Sequence, residues 1–539
     1  MAGVTALGGA RPAADDGGRI PFTLRVAVTG HRVLADPAAV TMAVDEALDL
    51  IVRRLPSAVR ATCPLVAVSA LADGADRVVA RCVLRRPGGR LEVILPMPAA
   101  EYVRDFGPAV SGPEFEHLLA EAWSVTTVPA QPTREDGYRA AGRAIVDRAD
   151  VTIAIWDGQQ ASGKGGTGEI VRYVRQQGRP LIWLPAAGGE PVAENLGGIA
   201  ALGPGVLAGL DEFNAASVRP EESRACLRPF TERTRARADV VPGGLGPLLD
   251  WIGPPLGRAE VLARRFQALY FRLSAALFAL AALAVCVVAA QLIFFPEIRL
   301  IVAGEVICLL TIMSILEWGR RRHVQQRWIS TRYLAERLRN AFFIALSGAE
   351  ERPSAASLLT REDPAATWAQ AAFRQVWAGR PSWDAQQVAL GPLRGFLADA
   401  WIEAQREYFE QAAKVAFTRH RISARVVEGL FGVSVVVALI HVTLGGPENW
   451  FHHLLSLLSI GIPACAAALA GYTAQREYQH HARRYARMTE FLAEARDQML
   501  AGANRNRVRT IAATVDRLLR EERGDWFGTV GQHDLELPA

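Results

Sequence analysis

The segment VTIAIWDGQQASGKGGTGEIVRYV, residues 151–174, decides how the N-terminal half is read. Six residues dominated by apolar side chains lead into a glycine-rich turn, and a helical pattern follows. A continuous apolar run before such a turn marks a buried parallel strand that feeds a helix. Glycines let backbone N–H groups approach an anion, and the next helix aims its positive end at it. The loop therefore reads as a phosphate cradle. Gly158, Gly163 and Lys164 have the spacing of a nucleoside-triphosphate loop, but Gly165 stands where that motif needs a magnesium-binding Ser or Thr, which argues against it.

Working outward, the same alternation recurs. LRVAVTG (24–30), LVAVSAL (65–71), LEVILPM (91–97) and PLIWLP (180–185) are strand-like, and TMAVDEALDLIVRRL (41–55), ADRVVARCVLRR (75–86) and YRAAGRAIVDRA (138–149) are helical. The pattern predicts a Rossmann-like, doubly wound α/β parallel sheet over residues 22–185. Such sheets bind ligands at the carboxyl ends of their strands. Three polar clusters fall there: Gly30, His31 and Arg32; Ser69, Asp73, Gly74 and Asp76; and Asp157 with Gly163, Lys164, Gly165, Gly166, Thr167, Gly168 and Glu169. These are the candidate ligand-binding residues, for a nucleotide or nucleotide-derived ligand. No catalytic residue, metal ligand or cofactor is assigned.

The chain has 539 residues, half of them hydrophobic. Residues 1–21 lack a basic, then apolar, leader pattern and read as a disordered leader. The six cysteines form no CxxC pair, which points to a reducing compartment. Four apolar runs account for the composition: Leu273 to Phe295, Leu300 to Leu316, Gly429 to Leu444 and Leu454 to Ala474. A bilayer core needs about 20 apolar residues per helix, so these predict two membrane hairpins, the second run being marginal in length. Arginines stand at the outer flanks of each pair (Arg264, Arg265 and Arg272; Arg320, Arg321 and Arg322; Arg419, Arg421 and Arg425; Arg483, Arg484 and Arg487), and the hairpin loops hold only Arg299. Positive flanks face the cytoplasm, so both termini are expected inside a bacterial inner membrane. The same flanks explain the net charge of +5 without a nucleic-acid partner. Glu305, the acidic residue inside a run, is a candidate for a pore lining.

TRYLAERLRNAFF from Thr331 resembles TEFLAEARDQML from Thr489, an offset of 158 that also pairs His323 with His481. The membrane region therefore reads as a duplicated unit with long flanking helices, over 258–347 and 400–500. Residues 186–257 form a connector of uncertain fold, 348–399 a second connector, and 501–539 a C-terminal helix and tail.

The order VAVTGHR, SALADGADR, LPMPAAEYVRDF, then ADVTIAIWDG with GGTGE resembles the SLOG superfamily of Rossmann-like domains, which includes the lonely-guy hydrolases and DprA-like proteins. The hydrolases carry G-G-x-G-T-x-x-E. Here Glu169 follows Thr167 by two residues rather than three, which implies ligand binding without hydrolysis. The paired hairpins after such a domain are similar to SLATT, the two-helix effector associated with SLOG domains. The resemblance implies a membrane effector of a bacterial defence system, a homo-oligomer that forms or opens a pore on binding a nucleotide-derived signal. The alternative is a membrane-tethered nucleotide phosphoribohydrolase with Glu169 as catalyst.

Overall fold

The computed structural model describes residues 17–55, 63–106, 111–159, 165–186, 190–197, 204–236, 245–298, 301–349, 364–381, 388–444 and 449–531. The chain divides into two compact units. Unit one comprises residues 1–221, 245–258 and 355–385; unit two comprises 222–244, 259–354 and 386–539.

Unit one is built on β1 (Leu24–Gly30), α1 (Pro37–Arg54), β2 (Leu65–Ser69), α2 (Ala75–Leu84), β3 (Arg90–Leu95), α3 (Ser111–Glu121), β4 (Ser124–Thr127), α4 (Arg134–Arg148), β5 (Val151–Trp156), α5 (Thr167–Gln176), β6 (Leu181–Pro185) and β7 (Val192–Glu194). The seven strands are ordered β4-β3-β2-β1-β5-β6-β7. All neighbours are parallel except the edge pair β6–β7. The α/β sheet expected from the sequence is present, with two short strands that the sequence did not mark, SVTT at β4 and VAE at β7. The order reverses between β1 and β5. That is the switch point where the loops of adjacent strands part and leave a crevice.

Two side-chain amides fix the chain where it enters β1. Asn214, on α6 (Pro204–Ala215), accepts the Ile20 N–H and donates to the Ile20 carbonyl, both at 2.8 Å. Residues 17–20 thus belong to the fold rather than to a disordered leader, and Ile20 is buried. Gln375 does the same for Thr23, accepting its N–H at 3.3 Å and donating to its carbonyl at 2.8 Å. Its oxygen also accepts from the Thr23 hydroxyl and from Arg25 Nη1, each at 3.0 Å. Arg25 lies on the central strand. It faces Glu92, which Arg148 also meets at 2.6 Å, and its N–H donates to Asp150. A buried charge without partners costs several kcal/mol, so this cluster depends on each member.

The stretch read as a connector of uncertain fold contains β7, α6, α7 (Pro220–Arg235) and the start of α8 (Gly246–Phe294). On α8, Arg258 is buried. Its guanidinium donates to the carbonyls of Phe213, Asn214 and Ala216 at the end of α6, where the helix dipole supplies negative charge.

Unit two continues α8 and adds α9 (Val302–Arg321) and α10 (Val324–Ser347); unit one then supplies α11 (Pro364–Ala378), which carries Gln375. Next, in unit two, come α12 (Leu390–Phe396), a π-helical turn at Leu397–Ile402, α13 (Glu403–Leu444), α14 (Trp450–Gln475), α15 (Tyr478–Leu500) and α16 (Arg505–Gly531). Among the described residues, three helical stretches are long and apolar enough to cross a membrane: Gly246–Phe294, Leu390–Thr443 and Trp450–Leu500. The second predicted run falls on α9, which is not among them. Its 20 residues carry Glu305 in the first turn and Glu317, Arg320 and Arg321 toward the end.

The duplication has a different register from the one the sequence gives. α9 and α10 meet at His323 (φ 47°), and α14 and α15 meet at Glu477 (φ 44°), both in the left-handed region. The bonds around the two joints match at an offset of 154: His323 N–H to Arg320 O and Arg327 N–H to His323 O, against Glu477 N–H to Ala474 O and His481 N–H to Glu477 O. The paired YLAE and FLAE segments are therefore four residues, about one helical turn, out of step with the joints. At the structural offset, buried Leu338 and Ala341 fall on buried Leu492 and Ala495.

Gln375→Leu strands the Thr23 backbone groups and one Arg25 nitrogen, at about 1–3 kcal/mol for each buried group left unpaired. It should lower the thermal unfolding of the full chain and raise hydrogen exchange in β1. At the joints, a left-handed non-glycine residue costs about 1–2 kcal/mol. Glu477→Gly should leave thermal stability level or raised, and Glu477→Val should lower it.

Candidate functional site

The predicted residues divide into those that build the switch-point crevice and those that only brace it. Gly30 and Gly74 are bracing. A Cβ on Gly30 would stand 2.4 Å from the Ala75 Cβ. Gly74 has φ 76°, and a Cβ there would stand 2.3 Å from the Arg32 carbonyl oxygen. Both are glycine because the start of α2 packs directly on the end of β1. The Ala75 N–H then donates to the His31 carbonyl at 3.1 Å, so the first turn of α2 is occupied by protein.

Ser69 and Asp76 are buried and spent on each other. The Ser69 hydroxyl donates to Asp76 at 2.8 Å, as does the Ala70 N–H at 3.2 Å. Asp73 accepts from Arg77 at 2.9 Å and from the Ser111 hydroxyl. The β2 cluster, expected to face a ligand, is thus a polar turn held closed by internal bonds.

The other two clusters meet. His31, at the end of β1, accepts the Asp157 N–H through Nε2 at 3.1 Å, and the Asp157 carboxylate lies 3.4 Å from the same nitrogen. Both side chains are partly exposed. Gly165, at φ 79°, sits against α4, where a Cβ would meet the Arg139 backbone nitrogen at 2.7 Å. Gly166 is the N-cap of α5 and supplies no side-chain cap. Thr167 and buried Gly168 form the first turn. Gly163 and Lys164 lie outside the described residues.

Glu169 holds this loop. Its Oε2 accepts the Gly165 N–H at 2.7 Å, and its Oε1 meets Arg139 Nε at 2.9 Å and Arg143 at 3.6 Å. Both oxygens are engaged, and two guanidiniums stand beside the start of α5. Arg139 and Arg143, one helical turn apart on α4, were passed over in the sequence because YRAAGRAIVDRA reads only as an amphipathic helix. Their four-residue spacing was the usable sign.

Arg32 packs over the Tyr138 ring, 5.3 Å from its centre, and donates to the Asp105 carbonyl at 3.4 Å. Asp105 also accepts from Arg134 and the Tyr138 hydroxyl. Burial works against the Asp105 charge, but the bonds from Arg134 and Tyr138 outweigh it and hold the carboxyl below its usual range. Burial likewise opposes the Arg32 charge, and Tyr138 with Asp105 more than offsets it, so this guanidinium stays firmly charged. Glu305, the remaining candidate, lies in unit two in the first turn of α9, where the helix dipole favours a negative charge without any pore.

In unit one, His31 and Asp157 thus meet across the ends of β1 and β5, and Arg139 and Arg143 stand beside the start of α5 through Glu169. No protein-family model matches the chain, and no curated protein matches it.

Burial pushes the Asp76 carboxyl up to about 6, against the pull of Ser69 and the Ala72 and Ala70 N–H groups. A folded-state value above the unfolded one means that the fold holds the proton more tightly. The contribution of Asp76 to stability therefore grows as pH falls from about 6 toward the ordinary carboxylate value of about 4, by up to about 1.4 kcal/mol per pH unit. This part of the pH slope of thermal unfolding should vanish in Asp76→Asn.

Proposed function

We propose that the chain is a membrane effector gated by a nucleotide-derived ligand. Its N-terminal sheet acts as a SLOG-like sensor, and its hairpins act as SLATT-like units that form or open a pore in a bacterial defence system. The observation that carries the sensor half is the start of α5. It is uncapped, lies beside the switch point, and is flanked by Arg139 and Arg143. An anion there gains backbone N–H groups, a helix dipole and charge-assisted bonds together. Arg32 stacked on Tyr138 gives the rim a flat cationic surface suited to a base or a second phosphate. The engagement of both Glu169 oxygens favours binding over the phosphoribohydrolase alternative.

The membrane half rests on exposure. The most apolar windows of the three long stretches are only 22%, 6% and 11% buried within the chain. Helix α9 joins them in this reading, since Val306, Ile307, Leu309, Leu310 and Met313 are all exposed. Hydroxyls such as Thr311 and Thr443 bond back to their own helix, to the carbonyls of Ile307 and Leu439, which pairs these donors without water. With four spans and arginines on the outer flanks, both termini are cytoplasmic. A homo-oligomer supplies the further helices that a pore requires.

Full-length protein in dye-loaded liposomes tests the whole reading against a panel of nucleotides, cyclic nucleotides and ADP-ribose compounds. One member should bind and release the dye. Gly166→Asp should abolish both: aspartate is a good N-cap, so the fold stands, and its charge occupies the anion position. A ligand that binds without ever changing permeability overturns the pore, and release of free base establishes the hydrolase instead.

A further inference from the structure

At the tip of the second hairpin, two imidazoles face each other across the gap between α13 and α14. His441 is in the last turn of α13 and His452 is in the first turn of α14. His441 Nε2 lies 3.3 Å from His452 Nδ1 and 3.3 Å from the Ser456 hydroxyl oxygen. The ring centres are 4.6 Å apart at an interplanar angle of 65°. The backbone holds this arrangement from outside. Asn449 accepts the His452 N–H at 2.9 Å, and the Ser456 hydroxyl donates to the His452 carbonyl at 3.0 Å. That bond uses the Ser456 proton and leaves its lone pairs toward His441. His453 turns the other way, its ring 5.8 Å from Phe294.

We propose that His441 and His452 form a binding site for a transition-metal dication of the imidazole-preferring class, Zn²⁺ or Cu²⁺. Three arguments carry this. The first is distance. Two nitrogens bound to one tetrahedral zinc at about 2.0–2.1 Å stand about 3.3–3.4 Å apart. The imidazole nitrogens already have that separation. The second is protonation. Two ring nitrogens in contact cannot both carry protons. At least one lone pair is therefore free, and on metal binding the proton between the rings moves to a distal ring nitrogen, so that each imidazole stays neutral and keeps one N–H. The third is the partner set. Ser456 Oγ offers a weak third ligand, and water completes the sphere. Among the described residues no set of three His, Cys, Asp or Glu side chains is assembled, so the affinity is that of a two-imidazole site open to solvent. Such an ion would pin the outer ends of α13 and α14 together. The inference needs neither the nucleotide ligand nor the pore.

The test uses tag-free full-length protein in detergent, titrated with Cu²⁺ and followed by electron paramagnetic resonance, with Zn²⁺ followed by calorimetry. One Cu²⁺ should bind with a two-nitrogen hyperfine pattern. His452→Ala and His441→Gln should each remove one nitrogen and weaken binding at least about tenfold, since loss of even an outer partner of a metal site costs about 10–100-fold. His441→Gln keeps a hydrogen bond to His452, so its effect separates ligand loss from misfolding. A double change at His480 and His481 should alter nothing. Absence of binding, or binding with both nitrogens retained in His441→Gln and His452→Ala, overturns the site.

Discussion

The uncovered apolar faces of unit two are the constraint from which its other features follow. Side chains such as Leu292, Leu310, Val435 and Leu439 are more than half exposed on helices that carry almost no charge over several turns. Patches of that extent are not left to water. Given that demand, the rest is economical. The helices satisfy their own backbone, and the arginines gather where the apolar runs stop. The two left-handed joints, His323 and Glu477, lie beside the arginines that end the hairpins. There the chain changes from a surface made for apolar surroundings to helices with buried ion pairs such as Arg484 with Glu522. A break at that boundary lets each part take its own direction, at the cost of one strained residue per hairpin.

How much of this could be read in the sequence depended on whether each feature was local. The central strands were legible because each is a continuous apolar run. β4 and β7 were not, since SVTT and VAE are short edge strands with too little apolar content to stand out. The long apolar runs were legible by length, and α9, the marginal one, is not among the three helices long and apolar enough to cross a membrane. The duplication was visible, but its register was not. YLAE and FLAE are the most similar letters, whereas the joints are set by backbone geometry that His323 and Glu477 share without sharing a side chain. At the site, the glycine loop and the pairing of the β1 and β5 ends were within reach of pattern reading. The division of labour among the glycines was not. Gly30 and Gly74 look like phosphate glycines and serve helix–strand packing instead. Arg139 and Arg143 required knowing that α4 lies beside the loop.

Gln375 is a contact that no local pattern could give, and its placement carries a consequence for biosynthesis. Thr23 and Gln375 are more than 350 residues apart in the chain. Between them the ribosome must make the entire sheet and then the whole first hairpin. Until α11 emerges, Arg25 and the backbone at the edge of β1 lack their amide partner, so the sheet exists as a nearly complete intermediate rather than a finished domain. Domains usually close in the order in which they are made. Here the N-terminal one is left open while a hairpin is laid down inside its sequence, and its last hydrogen bonds are formed only after that. The N-terminal sheet thereby gains its Gln375 bonds only after the first hairpin has been synthesised.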